Sequence, residues 1–434
     1  MNVSPFADIA SAATTWSGPA WLTAFRRSAL DRFAQTGLPT TRLESWRTTP
    51  LPELGTRALF PGFASLTSEA QRLAEPFMGN GAVTLVFVDG FHSATLSSPE
   101  GAWPKGVRLT PMSTLLAGRA EDLRPWFEET AVAGGALHDL NAAAFRDGAS
   151  IVVEDGVSVP VEVRVVLVTT SADQPVGQHV RNLIQIGQGA SLRLTIAVVG
   201  GPDALGFLNN HTRIRMAERA RLDLVRVHES PRGVPHFDAL SATLGPRAIL
   251  NDTLLQTGSS WTRSEIDIVL GGDHATADLG GVFVARGTQV SDIHTVLSHE
   301  ARGVTSRQNY RGLAADDARG VFHGQIRVLA EALGADATQN NRNMLLSKRA
   351  QVHSTPALEI LTDDVKCKHG SATGQIDPAQ LFYLRSRGLG LEEATRVLTR
   401  AFAGEVLSRV VNQGTRGLVE AQIAPSLEAL GVAA

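Results

Sequence analysis

The chain has 434 residues, a net charge of −3, and 43% hydrophobic against 19% charged residues. That balance excludes a disordered chain, and it offers neither the basic excess of a nucleic-acid binder nor an acidic solvating arm. The single cysteine, Cys367, excludes a disulfide within the chain and a complete four-thiolate cluster site on one polypeptide.

Residues 1–80 read as a helical N-terminal domain. Trp21, Leu22 and Phe25, then Leu30 and Phe33, recur at helical spacing, and Pro39 and Pro50 interrupt the pattern. Met1 to Trp16 shows no basic stretch leading into an apolar core, and no apolar run approaches the ~20 residues that span a bilayer, so a cytoplasmic location is expected.

Residues 81–375 change period. Val83 to Val88 is an apolar run closed by Asp89-Gly90. From Ser150 onward strand follows strand: Ile151–Val153, Val161–Val168, Leu183–Ile186, Leu192–Val199, Leu222–Val227 and Ile266–Leu270. β-branched residues dominate, with Gly, Asn and Asp between the runs. Alanines recur at 190, 220, 248 and 275 or 277, each ahead of an alternating apolar–polar stretch. A small residue at a steady interval suits the corner of a β-solenoid, with alternate residues pointing into the stack. A β-sandwich is the competing architecture on strand pattern alone.

Residues 376–434 return to helical spacing. Asp377 is placed to cap a helix with Pro378 at its first position, Leu398, Ala401, Phe402, Val406 and Val410 form a stripe, and Gln413 to Ala434 reads as a further short helix pair.

The chemistry on offer is sparse. The sequence holds no phosphate-cradling G-x-x-x-x-G-K-[ST], no complete dinucleotide loop, no G-x-S-x-G elbow and no H-E-x-x-H. What stands out is Asp363-Asp364-Val365-Lys366-Cys367-Lys368-His369-Gly370. In a strand, Cys367 and His369 share a face, so thiolate and imidazole could engage one metal or sulfur species. Lys366 and Lys368 favour the thiolate while the aspartates oppose it. A buried inert cysteine beside a surface histidine is the blander reading, and spacing leaves both open. Asp292, His294, His299 and Glu300 form a second, weaker cluster, with Asp292 and His294 on one strand face. The run from Asp336 to Ser347, rich in asparagine, suits a ladder that stacks from coil to coil and satisfies turn backbone groups, in preference to a ligand site.

These segments resemble the SufB/SufD family of iron–sulfur cluster assembly scaffolds. The likeness runs from Arg307 to Gly312, through Gly320 to Gly324, Asp336 to Ser347, Pro356 to Ile360 and Asp363 to Gly374, and ends at Leu381 to Gly388; Thr41 to Arg47 matches near the other end. The segment Asp364 to Gly374 is similar to the SufD branch. The resemblance implies a mainly β fold, a right-handed parallel β-helix flanked by helical domains, and a non-enzymatic role. It further implies pairing with SufB through the β-helix ends and docking of the SufC ATPase through the C-terminal helical region, where Phe382, Tyr383, Arg385 and Arg387 lie. His369, with Cys367 beside it, corresponds to a nascent iron or cluster site shared with SufB. Two other classes stay open: a β-helix enzyme acting on polysaccharide, and a homodimeric interaction protein without a metal role.

Overall fold

The computed structural model describes residues 18–52, 59–61, 67–79, 81–128 and 134–430. The segment inspected for a secretory leader, residues 1–16, lies outside them.

The centre of the molecule is a parallel β-solenoid. Sixteen strands, from Ala149–Val153 to Val365–Gln375, alternate between two sheets, giving eight two-stranded turns. Neighbouring turns stack in register. Arg221 pairs with Ser191 on one side and Ile249 on the other, and Thr276, Thr305 and Asp336 continue the column. Inward positions alternate along each strand, so Leu222, Leu224, Leu250, Leu279, Ile266 and Ile268 stack into one continuous buried core.

The alanine column has a plain physical basis. Ala190, Ala220, Ala248 and Ala275 sit buried at a corner, and each carbonyl accepts the N–H that opens the next coil's strand, as from Ala190 to Arg221 at 2.8 Å. Immediately before each alanine the chain enters left-handed backbone: Gly189, Arg219, Arg247 and His274 have φ of 63°, 57°, 56° and 60°. The next two coils use Gly303 and Gly334 there. Three coils therefore use a residue with a Cβ where glycine is the unstrained choice, which hid this corner from composition.

The two outer faces are covered differently. The sheet ending in Val365–Gln375 carries Val225, Val227, Leu255, Val282 and Leu313 outward, against Ala403, Leu407, Val419, Ile423 and Leu427 of the C-terminal helices. The other sheet meets the N-terminal helix Ala20–Thr36, helix Ala136–Ala144 and the turn Glu44–Trp46. Trp46 stacks on Trp261 at 6.1 Å.

Some details differ from expectation. Gln413–Leu430 is one helix with Pro425 inside it; burial of Ile423 and Leu427 holds it across the proline. In the helix Leu391–Leu407, the buried stripe is Ala394, Ala403, Val406 and Leu407, while Ala401 is exposed and Val410 lies past the helix end. Asp377 does cap the helix Pro378–Ser386, accepting from the Ala379 N–H at 2.9 Å. Among the described residues, no helix is long and apolar enough to cross a membrane.

Candidate functional site at the open end of the solenoid

The two ends of the solenoid are built differently. At the first end, the sheets terminate in short antiparallel strands, Val107–Pro111 and Phe91–His92, and Trp103 packs against the core. At the last turn, Gln351–Ile360 and Val365–Gln375 each pair on one side only among the described residues. Neither strand has a fully buried residue. Ile360 and Leu361 are exposed apolar side chains at their junction. A strand edge of this length presents a row of unpaired N–H and C=O groups, and exposed apolar side chains beside it mark a contact surface.

The Cys367 segment lies on this last rung. Parallel pairing sets Cys367 over Ala337 and His369 over Gln339. Ala337 and Gln339 are buried, and Cys367 packs on the end of the core. Cys367 is half-buried, whereas His369 is exposed. The two side chains share the face that closes the solenoid interior, at a Cα spacing of about 6.8 Å for a strand. Burial is the largest influence on the thiol and pushes its pKa up, with Asp336 acting in the same direction; a backbone hydrogen bond at Ala337 opposes them. In this free chain, then, burial outweighs any help that Lys366 and Lys368 give the thiolate.

Thiolate sulfur and imidazole nitrogen suit iron, zinc and iron–sulfur species, but two donors are half of a tetrahedral shell. Among the described residues, no group of three donors within 4.8 Å of one another includes Cys367 or His369. The interior rung below them is polar. Asn343 donates to Asn341 at 2.6 Å, Ser354 donates to Asn341 at 2.8 Å, and Ser371 donates to Ser354 at 2.7 Å. The asparagine run thus lies along a strand, lining the interior, and does not form a turn ladder. Gln339, directly under His369, has no hydrogen-bond partner among the described residues for either amide atom.

The second cluster divides between two faces. Asp292 and His294 do meet on the outer face, 3.0 Å apart, and Asp292 is claimed by Arg263 at 2.8 Å. His299 points inward to Ser306 at 2.8 Å, and Glu300 is exposed at the turn. Asp292 and His294 thus join, through Arg263, a structural ion-pair network with Glu265 and His138, which lie 2.8 Å apart.

Beyond the solenoid, helix Pro378–Ser386 has no buried residue. Phe382 is 75% and Tyr383 57% exposed, with Leu391 and Val397 also exposed on the next helix. Arg387 lies over the Tyr383 ring at 5.3 Å. Two aromatic rings left in water beside arginines resemble an unoccupied protein contact, since such residues anchor interfaces.

Comparison with known proteins agrees with this architecture. The SUF system FeS cluster assembly SufBD core domain matches residues 167–402, more than half of the chain. The iron–sulfur cluster assembly protein SufD of Escherichia coli K12 is 29% identical over 92% of this chain and 91% of its own length. SufD of Bacillus subtilis is 27% identical over 92% of each. A SufBD family protein of Synechocystis is 27% identical over 89% of this chain and 86% of its own. With its solenoid matched along most of its turns and SufD proteins among its full-length relatives, the chain belongs to the SufBD family of iron–sulfur cluster assembly proteins and is SufD-like within it.

Proposed function

We propose that this chain is a non-enzymatic scaffold subunit working in the cytoplasm, whose open last turn pairs with the homologous solenoid of a SufB subunit to complete a site for nascent iron–sulfur clusters. The observation that carries the proposal is the uncapped rung that bears the only thiol of the chain. Cys367 and His369 supply two donors, and thiolates of the partner supply the rest. Iron and sulfide are the cargo of this site, held transiently, so a partial and partly exposed ligand set is what the task requires.

In the same reading, the chain divides into an N-terminal helical domain (1–80), the solenoid (81–375) and a C-terminal docking domain (376–434). Phe382, Tyr383, Arg385 and Arg387 receive the SufC ATPase. Dimerisation of the ATPase on ATP moves the C-terminal helices, and their packing on the solenoid face transmits the motion to the open end. Reconstitution of iron and sulfide on the assembled complex carrying His369→Ala tests the ligand role; unchanged cluster yield and iron content would remove His369 from the mechanism. Co-expression with SufB and SufC, followed by sizing, tests the assembly, and loss of the ATPase on Phe382→Ala or Tyr383→Ala tests its dock.

The same free edges favour one second reading, a homodimer of this chain through its last turns. Sizing the chain alone and again with SufB separates the two. A homodimer that SufB does not displace would support the second.

A further inference from the structure

A different set of donors lies in the solenoid interior. Strand Arg221–Ser230 and the next strand, His236–Leu244, send His228, His236 and Asp238 inward, where all three are almost completely excluded from solvent. Their donor atoms lie within 4.8 Å of one another. The two imidazole centroids are 4.6 Å apart at 65°. Among the described residues, neither ring nitrogen of His228 has a hydrogen-bond partner; its Nε2 approaches Asp238 Oδ2 at 3.8 Å. His236 meets Ser230 Oγ through Nδ1 at 3.2 Å, and its Nε2 is also without a partner.

Buried polar atoms are ordinarily satisfied, because leaving one unpaired in an apolar core is costly. Unpaired nitrogens on both imidazoles beside one carboxylate form an exception that a bound cation would resolve. The carboxylate is already oriented. Asp238 Oδ1 accepts from Asn210 at 2.8 Å, and Oδ2 accepts from Arg226 at 2.8 Å, as outer partners of a metal ligand usually do. Arg226 does not exclude a cation. It is shared with Asp252, Nε to Oδ1 at 3.0 Å, so one guanidinium faces two carboxylates.

We propose that His228, His236 and Asp238 bind a first-row divalent transition-metal ion, Zn²⁺ or Fe²⁺, inside the solenoid. Two nitrogens and one carboxylate oxygen suit these ions, whereas Ca²⁺ and Mg²⁺ require all-oxygen sets. The site is four to five coils from the last rung, about 19–24 Å at ~4.8 Å per coil, and does not depend on the role of Cys367 and His369. Tyr310 and Gln308 lie on the inward face between the two, and both carry polar atoms without partners among the described residues.

The test uses the full chain with Cys367→Ser and His369→Ala, which removes the open-end donors. Metal is supplied both during expression and by anaerobic titration with Co²⁺, a spectroscopic substitute, so that slow entry into the interior cannot conceal binding. One equivalent of metal, visible d–d absorption and an X-ray absorption spectrum showing two imidazoles are expected. His228→Gln and His236→Gln should each weaken binding at least tenfold, while His299→Gln, another buried interior histidine, leaves it unchanged. No stoichiometric metal by either route, or unchanged affinity in both His228→Gln and His236→Gln, would overturn the proposal. If those variants misfold, the absorption spectrum of the parent decides, and fewer than two histidine ligands would overturn it equally.

Discussion

Arg263 is the point at which the N-terminal segment is fastened to the solenoid, and its replacement by methionine should be severe. Its guanidinium is almost fully buried and donates to Asp292 at 2.8 Å, Glu265 at 2.7 Å and the Ser45 carbonyl at 2.8 Å, while lying 4.1 Å over the Trp46 ring. Methionine fills similar space but leaves Asp292, which is wholly buried, with His294 as its remaining ion-pair partner. Removing one member of a buried pair costs about 3–5 kcal/mol, because the other charge stays desolvated. Replacing both by apolar residues is often near neutral. Arg263→Met should therefore lower unfolding stability by about 4 kcal/mol, and adding Asp292→Leu should recover at least half of that loss. Urea unfolding, followed in parallel by tryptophan fluorescence and far-ultraviolet circular dichroism, measures both. A loss below about 1 kcal/mol for the single variant, or a double variant as unstable as the sum of the singles, would refute the reasoning.

Further outcomes follow from other places in the fold. His299 is buried against Ser306 and its pKa is lowered to about 4 by burial, against a partial upward pull from Asp336. Between pH 6.5 and 4 the unfolded chain binds a proton that the folded chain refuses, so stability falls as pH drops; His299→Gln should flatten that slope by up to about 3 kcal/mol across the window, measured by urea midpoints at each pH. Gly303 has φ of 62°, and a Cβ there would meet the His274 ring at 2.4 Å, so Gly303→Ala should cost about 1–3 kcal/mol, whereas Arg247→Gly, at φ of 56°, should be neutral or stabilising by about 1 kcal/mol in melting experiments. Phe322 is fully buried against Tyr310 at 5.0 Å, and Phe322→Ala should cost about 3–5 kcal/mol through the cavity it leaves. Because burial raises the Cys367 thiol, its alkylation in the free chain should have a pH midpoint above that of the urea-unfolded chain; an equal or lower midpoint would contradict the packing described.

Much of the solenoid was legible because its physics is local. Alternation marks strands such as Leu192–Val199, and the alanines at 190, 220, 248 and 275 mark corners where a larger side chain would not stack. The coplacement of Cys367 and His369 followed from strand period, and the helix cap at Asp377 from its aspartate–proline pair. What stayed hidden depends on tertiary context. Arg226, Asp238 and Asp252 look like outward polar positions, yet they face inward, because the guanidinium pairs with both carboxylates across the lumen. The helix Ala136–Ala144 carries little periodic contrast, being alanine-rich and buried along most of its length. The uncapped last turn is a property of the sheet order, which no local segment of sequence displays.

That unsealed rung also bears on how much of the chain can exist alone. Two free ladder edges side by side are a template on which further chains can grow end to end. Pro356 on one edge strand, and Lys366 and Lys368 on the other, are residue types that discourage such growth. They blunt the template but do not remove it, so a surplus of this polypeptide over whatever covers its last coil should tend toward filaments or precipitate. On the proposed pairing, matched synthesis of the two subunits follows as a requirement of solubility, set by backbone geometry before any chemistry begins.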